Sequence, residues 1–181
     1  MDATDIERVL LAEEEIGARV REMAREISEG LAGEEVVALG VLNGAFVFLA
    51  DLIRALSVPV RVAFLRAASY GRSHRPGELE IQAVGEPDLA GKNVLVVEDI
   101  VDTGRSLEGI RRRVEAAGPA SLRVAVLLDK RDRREVPVRV DHVGFEVPDE
   151  FLVGYGLDYA GLYRNLPYVG ILSRSVYGGE A

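Results

Sequence analysis

The stretch that most restricts this chain runs from Val94 to Leu107. Four apolar residues, Val94 to Val97, meet two adjacent acids, Glu98 and Asp99. Ile100-Val101 follows, then Asp102, the small turn Thr103-Gly104-Arg105-Ser106, and a helical pattern from Ser106 to Ala117 that stops at Gly118-Pro119. An apolar run of this kind is a strand buried on both faces, as in a parallel sheet. Its acids lie at the carboxyl end, and the helix behind it begins with hydroxyls and a glycine. Carboxylates there can hold ribose hydroxyls and a divalent cation. Backbone N–H groups and hydroxyls at a helix start can hold a phosphate monoester at the positive end of the helix dipole. Taken alone, Glu98-Asp99 reads equally well as a polar turn, and Asp-Thr-Gly as a helix cap. The length of the whole run favours a sugar-phosphate site.

The rest of the chain repeats the strand–helix alternation. Ala12 to Leu31 carries Ile16, Val20, Met23, Ile27 and Leu31 at helical spacing. Val36 to Leu42 reads as a buried strand, Asn43-Gly44 as a turn, and Phe46 to Leu56 as a helix. Val60 to Leu65 and Leu79 to Val84 read as strands on either side of a polar loop from Ser69 to Glu78. Leu122 to Leu128 is a further buried strand, ending in Asp129-Lys130, and His142 to Val147 is another. The expected architecture is α/β, a parallel sheet flanked by helices and joined by crossovers. Ligands in such sheets bind at the carboxyl ends of the strands. Three turns converge there: Leu42-Asn43-Gly44, Glu98 to Ser106, and Asp129-Lys130.

Composition narrows the function classes. The 181 residues, 48% of them hydrophobic, suit one domain with a real core. With no cysteine there is neither a disulfide framework nor a thiolate metal site. The net charge of -8 argues against a nucleic-acid surface. It leaves room for an anionic small molecule, because a bound Mg²⁺ reverses the sign locally. No apolar run reaches membrane-spanning length, and a cytoplasmic protein is expected. There is no Walker loop and no dinucleotide-binding glycine fingerprint after the first strand. His74 and His142 lack metal-ligand spacing. Lys92 and Lys130 are the only lysines in an arginine-rich chain, a bias that a GC-rich genome and a hot habitat would each produce. Lys92 sits in a turn. Lys130, at a strand end, marks a place that wants a compact ammonium.

The run from Val94 to Leu107 resembles the phosphoribosyl-pyrophosphate signature of the type I phosphoribosyltransferases. Further pieces are similar to the hypoxanthine (hypoxanthine-guanine) branch of that family: Gly40 to Phe46 with Ala50-Asp51-Leu52, Ser69-Tyr70-Gly71, Leu127 to Arg131, and the long tail Gly144 to Tyr159. The resemblance implies a Rossmann-like core over residues 1–181 with a small hood built from the N-terminal segment and the C-terminal tail. It implies Mg²⁺-dependent transfer of phosphoribosyl to hypoxanthine, and also to guanine, with release of pyrophosphate. Glu98 and Asp99 would then hold the ribose hydroxyls and Mg²⁺. Asp102 would be the general base at purine N7. Thr103, Gly104, Arg105 and Ser106 would cradle the 5'-phosphate. Leu42, Asn43 and Gly44 would form the pyrophosphate loop, with a non-proline cis bond before Asn43, and Arg164, Ser69 and Tyr70 would complete that side. Lys130 would donate to the six-oxo group, Phe151 would stack on the base, Leu152 would read its edge, and Asp158 would face Mg²⁺-pyrophosphate. The family usually carries Lys or Arg where this chain has Asn43, which leaves backbone contacts and removes a charge. A homodimer or homotetramer is also implied. Two other readings stand beside this one: a regulator of the same fold that senses phosphoribosyl pyrophosphate and binds nucleic acid, and a pyrimidine-specific relative. Asp102, Lys130 and Phe151 favour the purine enzyme, and the acidic charge disfavours nucleic acid.

Overall fold

A computed structural model of the chain describes residues 5–69, 79–85 and 87–178. The core is a six-stranded sheet of β2 (Val36–Leu42), β3 (Val60–Ser69), β4 (Leu79–Val84), β5 (Asn93–Val101), β6 (Ser121–Asp129) and β7 (His142–Glu146), in the order β4-β3-β2-β5-β6-β7. All neighbours pair in parallel except β3 and β4, which are antiparallel, so the sheet is mixed rather than wholly parallel. Nine residues separate the end of β3 from the start of β4, fewer than the dozen or so that a crossover to a parallel neighbour needs, so the chain runs back antiparallel.

Alternation along the strands divides the core into two layers. Leu95 and Val97 of β5 face one side, with Ala125 and Leu127 of β6. That side is covered by α1 (Glu13–Leu31) and α2 (Phe46–Ala55). Val94 and Val96 face the other, with Val124 and Val126, under α3 (Arg105–Ala116). The helix α1 buries the stripe its spacing predicts, Ile16, Val20, Met23, Ile27 and Leu31. Its three opening residues, Glu13, Glu14 and Glu15, complement the helix dipole, and the Glu15 carboxylate accepts the Ala12 N–H at 2.9 Å.

A second sheet packs on the α1 side of this core and shares Leu152, Val169 and Ile171 with it. It joins β1 (Ile6–Leu11) with β9 (Val169–Leu172) and β8 (Leu152–Val153), all antiparallel, and α4 (Arg174–Tyr177) follows. The expected hood segments at the two ends of the chain therefore pair with each other. The Tyr155 hydroxyl donates to Asp51 Oδ2 at 2.7 Å, tying this sheet to α2. The Tyr163 hydroxyl donates to Asp5 at 2.9 Å. A 3-10 turn, Arg131–Arg133, leaves the end of β6.

Candidate active site

The carboxyl ends of β2, β5 and β6 bring the three predicted turns to one edge. Lys130, just past β6, donates its N–H to the Val101 carbonyl of β5 at 2.9 Å, which fixes one turn against the other. On β5, Asp99 is buried at 7% exposure, and its own Oδ1 accepts the Ile100 N–H at 2.9 Å. Glu98 has its Oε2 buried with no hydrogen-bond partner. Burial, and then the neighbouring Asp99 charge, push the Glu98 carboxyl well above the usual carboxylate range. Burial also raises the Asp99 carboxyl, against hydrogen bonds that pull the other way. A buried carboxylate oxygen without a partner is costly. It marks a place where hydroxyls or a cation complete the site. Two adjacent hard-oxygen donors fit Mg²⁺, which takes one or two protein carboxylates and fills its remaining positions from water and substrate. Among the described residues no group of three acids or histidines gathers around one point, so the protein alone makes no closed metal cage.

Glu98 shares a small cavity with Asp102, Thr103, Gly104 and Ser106. Gly104 has φ +85, and a Cβ there would come within 2.7 Å of the Val136 carbonyl, so only glycine suits this turn. The Thr103 carbonyl accepts the N–H groups of Glu135 and Val136 at 3.0 and 3.1 Å, pinning the turn from outside. The Arg105 N–H at the start of α3 donates to Thr103 Oγ1 at 3.4 Å; the other first-turn N–H groups have no intrahelical partners, as at any helix start, and can face an anion. The Arg105 side chain is spread over the surface on Glu135 at 2.7 Å, away from this cavity.

On the opposite side of β5, the Leu42–Asn43 peptide bond is cis, as the resemblance implies. Gly44 packs directly on the Asp99 carboxylate, and any side chain there would run into it. Gly156 packs in the same way on the Gly44 carbonyl. The loop is thus wedged between β5 and the tail. Arg164 is already engaged: it donates to the Gly156 carbonyl at 2.6 Å and pairs with Asp158 at 2.7 Å. Asp158 also accepts the Gly161 N–H at 2.8 Å. Ser69 ends β3, and Tyr70 and the loop that follows it lie outside the described residues.

A cavity of about 440 Å³ opens beside Asp102 and is lined by Lys130, Phe151, Leu152 and Asp158 as well. Those dimensions suit a small flat ligand. Lys130 is only 8% exposed, and its ammonium donates to the Glu150 carbonyl at 2.7 Å with Asp149 at 3.7 Å. Phe151 leaves 36% of its surface open, stacked on Tyr177 at 4.8 Å and edge-on to Tyr159 at 5.4 Å. The structure therefore brings the predicted base-side residues to one cavity. It adds residues the sequence reading passed over: Ile100, Arg133, Asp149, Arg174 and Tyr177. Arg133 pairs with Asp102 at 3.0 Å. Its signal was its position three residues after Lys130, on the same side of a tight turn. Tyr177 had no local signal, because a tail reaches its site only through tertiary pairing.

His142, expected at a strand edge, begins β7 and lies 3.5 Å from Glu26. His74 lies outside the described residues.

Comparison with known proteins agrees with this geometry. The phosphoribosyl transferase domain family matches residues 9–160. A hypoxanthine phosphoribosyltransferase of Salmonella typhimurium is 47% identical over 165 residues, covering 90% of this chain and 93% of the relative. A hypoxanthine-guanine phosphoribosyltransferase of Bacillus subtilis is 41% identical over 174 residues, covering 96% and 97%. Among solved structures, the hypoxanthine phosphoribosyltransferase of Trypanosoma cruzi superposes with a TM-score of 0.91 at 38% identity, covering 98% of this chain and 97% of that one. The sugar-phosphate edge, the base cavity and these likenesses together place the chain in the phosphoribosyltransferase family, as a hypoxanthine phosphoribosyltransferase.

Proposed function

We propose that the chain transfers the phosphoribosyl group of phosphoribosyl pyrophosphate to N9 of hypoxanthine, and of guanine as a second acceptor, giving the nucleoside monophosphate and pyrophosphate. The observation that carries the reading is the pairing of Asp102 and Lys130 on one cavity with Phe151. A six-oxo purine presents a proton at N7 and an acceptor at its adjacent oxygen. A carboxylate and an ammonium are the complementary pair, and adenine, with a donor in place of the oxygen, meets the ammonium with the wrong polarity.

In this reading Asp102 shares the N7 proton as N9 attacks. Lys130 holds the six-oxo group, Phe151 stacks on the ring, and Leu152 meets its edge through the backbone. Glu98 and Asp99 hold the ribose hydroxyls, directly or through Mg²⁺. When bound, that ion neutralises the leaving pyrophosphate and lowers the cost of the buried acids. Thr103, Gly104, the Arg105 backbone and Ser106 take the 5'-phosphate. Leu42, Asn43 and Gly44 offer backbone groups to the pyrophosphate, Arg164 supplies the charge that Asn43 lacks, and Asp158 would help to hold Mg²⁺ and pyrophosphate. Ser69, and Tyr70 outside the described residues, would complete the pyrophosphate side. The chain works as one unit, with the hood over the base, as a cytoplasmic homodimer or homotetramer. Among the described residues no helix is long and apolar enough to cross a membrane.

The test is nucleotide formation from phosphoribosyl pyrophosphate with hypoxanthine, guanine, xanthine, adenine and uracil, with Mg²⁺ and with EDTA. Turnover confined to six-oxo purines and abolished by EDTA is expected. Equal use of adenine or uracil would remove the assigned role of Lys130.

A further inference from the structure

Four basic residues crowd the turn after β6: Lys130, Arg131, Arg133 and Arg134. In a 3-10 turn, residues three apart eclipse one another. The four therefore sort into two pairs on opposite sides. Arg131 and Arg134 both go to Asp129, and Arg131 also reaches Glu146. Lys130 and Arg133 both go to Asp149 and line the base cavity. Of the three arginines, Arg133 alone turns toward the reacting side.

Its guanidinium spans two elements. Nε lies 3.0 Å from Asp102 Oδ1, in the turn after β5, and Nη1 lies 3.4 Å from Asp149 Oδ2, in the loop before Phe151. Asp149 Oδ1 is in turn 3.7 Å from the Lys130 ammonium. The signs alternate along this chain, from Asp102 through Arg133 and Asp149 to Lys130. Its two ends are the groups that would read N7 and the six-oxo group. Both members of the Asp102 pair are about half exposed. Such a pair adds little to stability. Its consequence is geometric.

We propose that Arg133 is a positioning residue for the transfer reaction. It occupies Oδ1 of Asp102, so that Oδ2 is the oxygen left for purine N7, and it keeps Asp102 and Lys130 from pairing with each other across the empty cavity. The proposal rests on the reading of Asp102 as the base.

The experiment compares Arg133→Ala, Arg133→Lys and Asp102→Asn on two ligands: hypoxanthine as substrate, and 7-deazahypoxanthine, which carries carbon where N7 would be, as a competitive inhibitor. For Arg133→Ala we expect kcat on hypoxanthine to fall about tenfold, a fraction of what a general base contributes. The 7-deazahypoxanthine inhibition constant should stay within about twofold, the scale of an exposed ion pair. Arg133→Lys restores part of kcat, since it returns the charge without the two-pronged reach. Unchanged kcat in Arg133→Ala, with Asp102→Asn slow, would overturn the role of Arg133 alone. Inhibitor binding weakened as much as turnover would also overturn it, because loss of N7 positioning cannot affect a ligand without N7. Full turnover in Asp102→Asn would overturn the assignment of Asp102 and this inference with it.

Discussion

The two ends of the site meet water and charge in opposite ways. At the proposed phosphoribosyl end, Glu98 Oε2 is buried without a partner beside the buried Asp99, and burial raises both carboxyls. At the base end, Asp102, Arg133, Asp149 and Lys130 are already joined by ion pairs and hydrogen bonds. In the proposed reading, hydroxyls and a cation binding at the first end would relieve the cost of the buried Glu98 oxygen. The second is complete without ligand, so a base must offer groups at least as good as those it displaces. One end is suited to affinity for a substrate rich in oxygens, and the other to discrimination between flat rings of nearly equal size.

The sharpest way to break this contrast is at Asp102. Asp102→Ala is expected to lower kcat on hypoxanthine by about 10²- to 10³-fold with KM for phosphoribosyl pyrophosphate little changed, measured by initial rates. An equal loss in both constants would mean that Asp102 belongs to the phosphoribosyl end. Next in size is Lys130→Ala. Preference for hypoxanthine over adenine should shrink by roughly 10- to 100-fold, as expected when a site loses the donor that rejects the wrong polarity. Undiminished preference would place base selection elsewhere in the cavity. A smaller effect is expected from Asn43→Lys, which returns a cation to the pyrophosphate loop. Product inhibition by pyrophosphate should tighten by about three- to fivefold, the scale of one partly exposed charge contact.

A shift in stability rather than in rate sharpens the contrast most. Glu98 has a raised carboxyl in the folded state. The folded protein therefore holds a proton more tightly than the unfolded chain. Glu98 costs nothing below its unfolded pKa of about 4.3, and its penalty grows as pH climbs from there to the raised folded value and is constant above it. At pH 7, without ligand, Glu98→Gln should stabilise the fold by about 1 kcal/mol, or ~2–4 °C in Tm, while weakening metal-dependent turnover. At pH 4 the two proteins should melt alike. A variant less stable at pH 7 would show that the buried acid is already compensated.

How much of this could be read in advance follows from where the constraints lie. The β5–turn–α3 unit was legible because burial on both faces removes polar residues from the strand, and Gly104 is demanded by both a positive φ and a close backbone approach. α1 was legible from its single apolar stripe. β1 was not, since its burial pattern, with three exposed residues in a row, follows neither period, and its sheet partner, β9, is distant in the chain. The antiparallel β4 was readable as a strand but not in its direction. Within the site, Lys130 stood out against an arginine-rich background, whereas that background concealed Arg133. Its role depends on which side of a 3-10 turn it occupies.

The central claim is that one edge joins a sugar-phosphate site short of partners to a six-oxo purine reader. The most direct measurement is the rate of nucleotide formation from phosphoribosyl pyrophosphate and Mg²⁺ with hypoxanthine and with adenine, for the unaltered chain and Lys130→Ala side by side. The account predicts fast reaction with hypoxanthine, adenine refused, and a preference that narrows in the variant. Equal rates with the two bases in the unaltered chain, or a preference that the variant keeps in full, would contradict it.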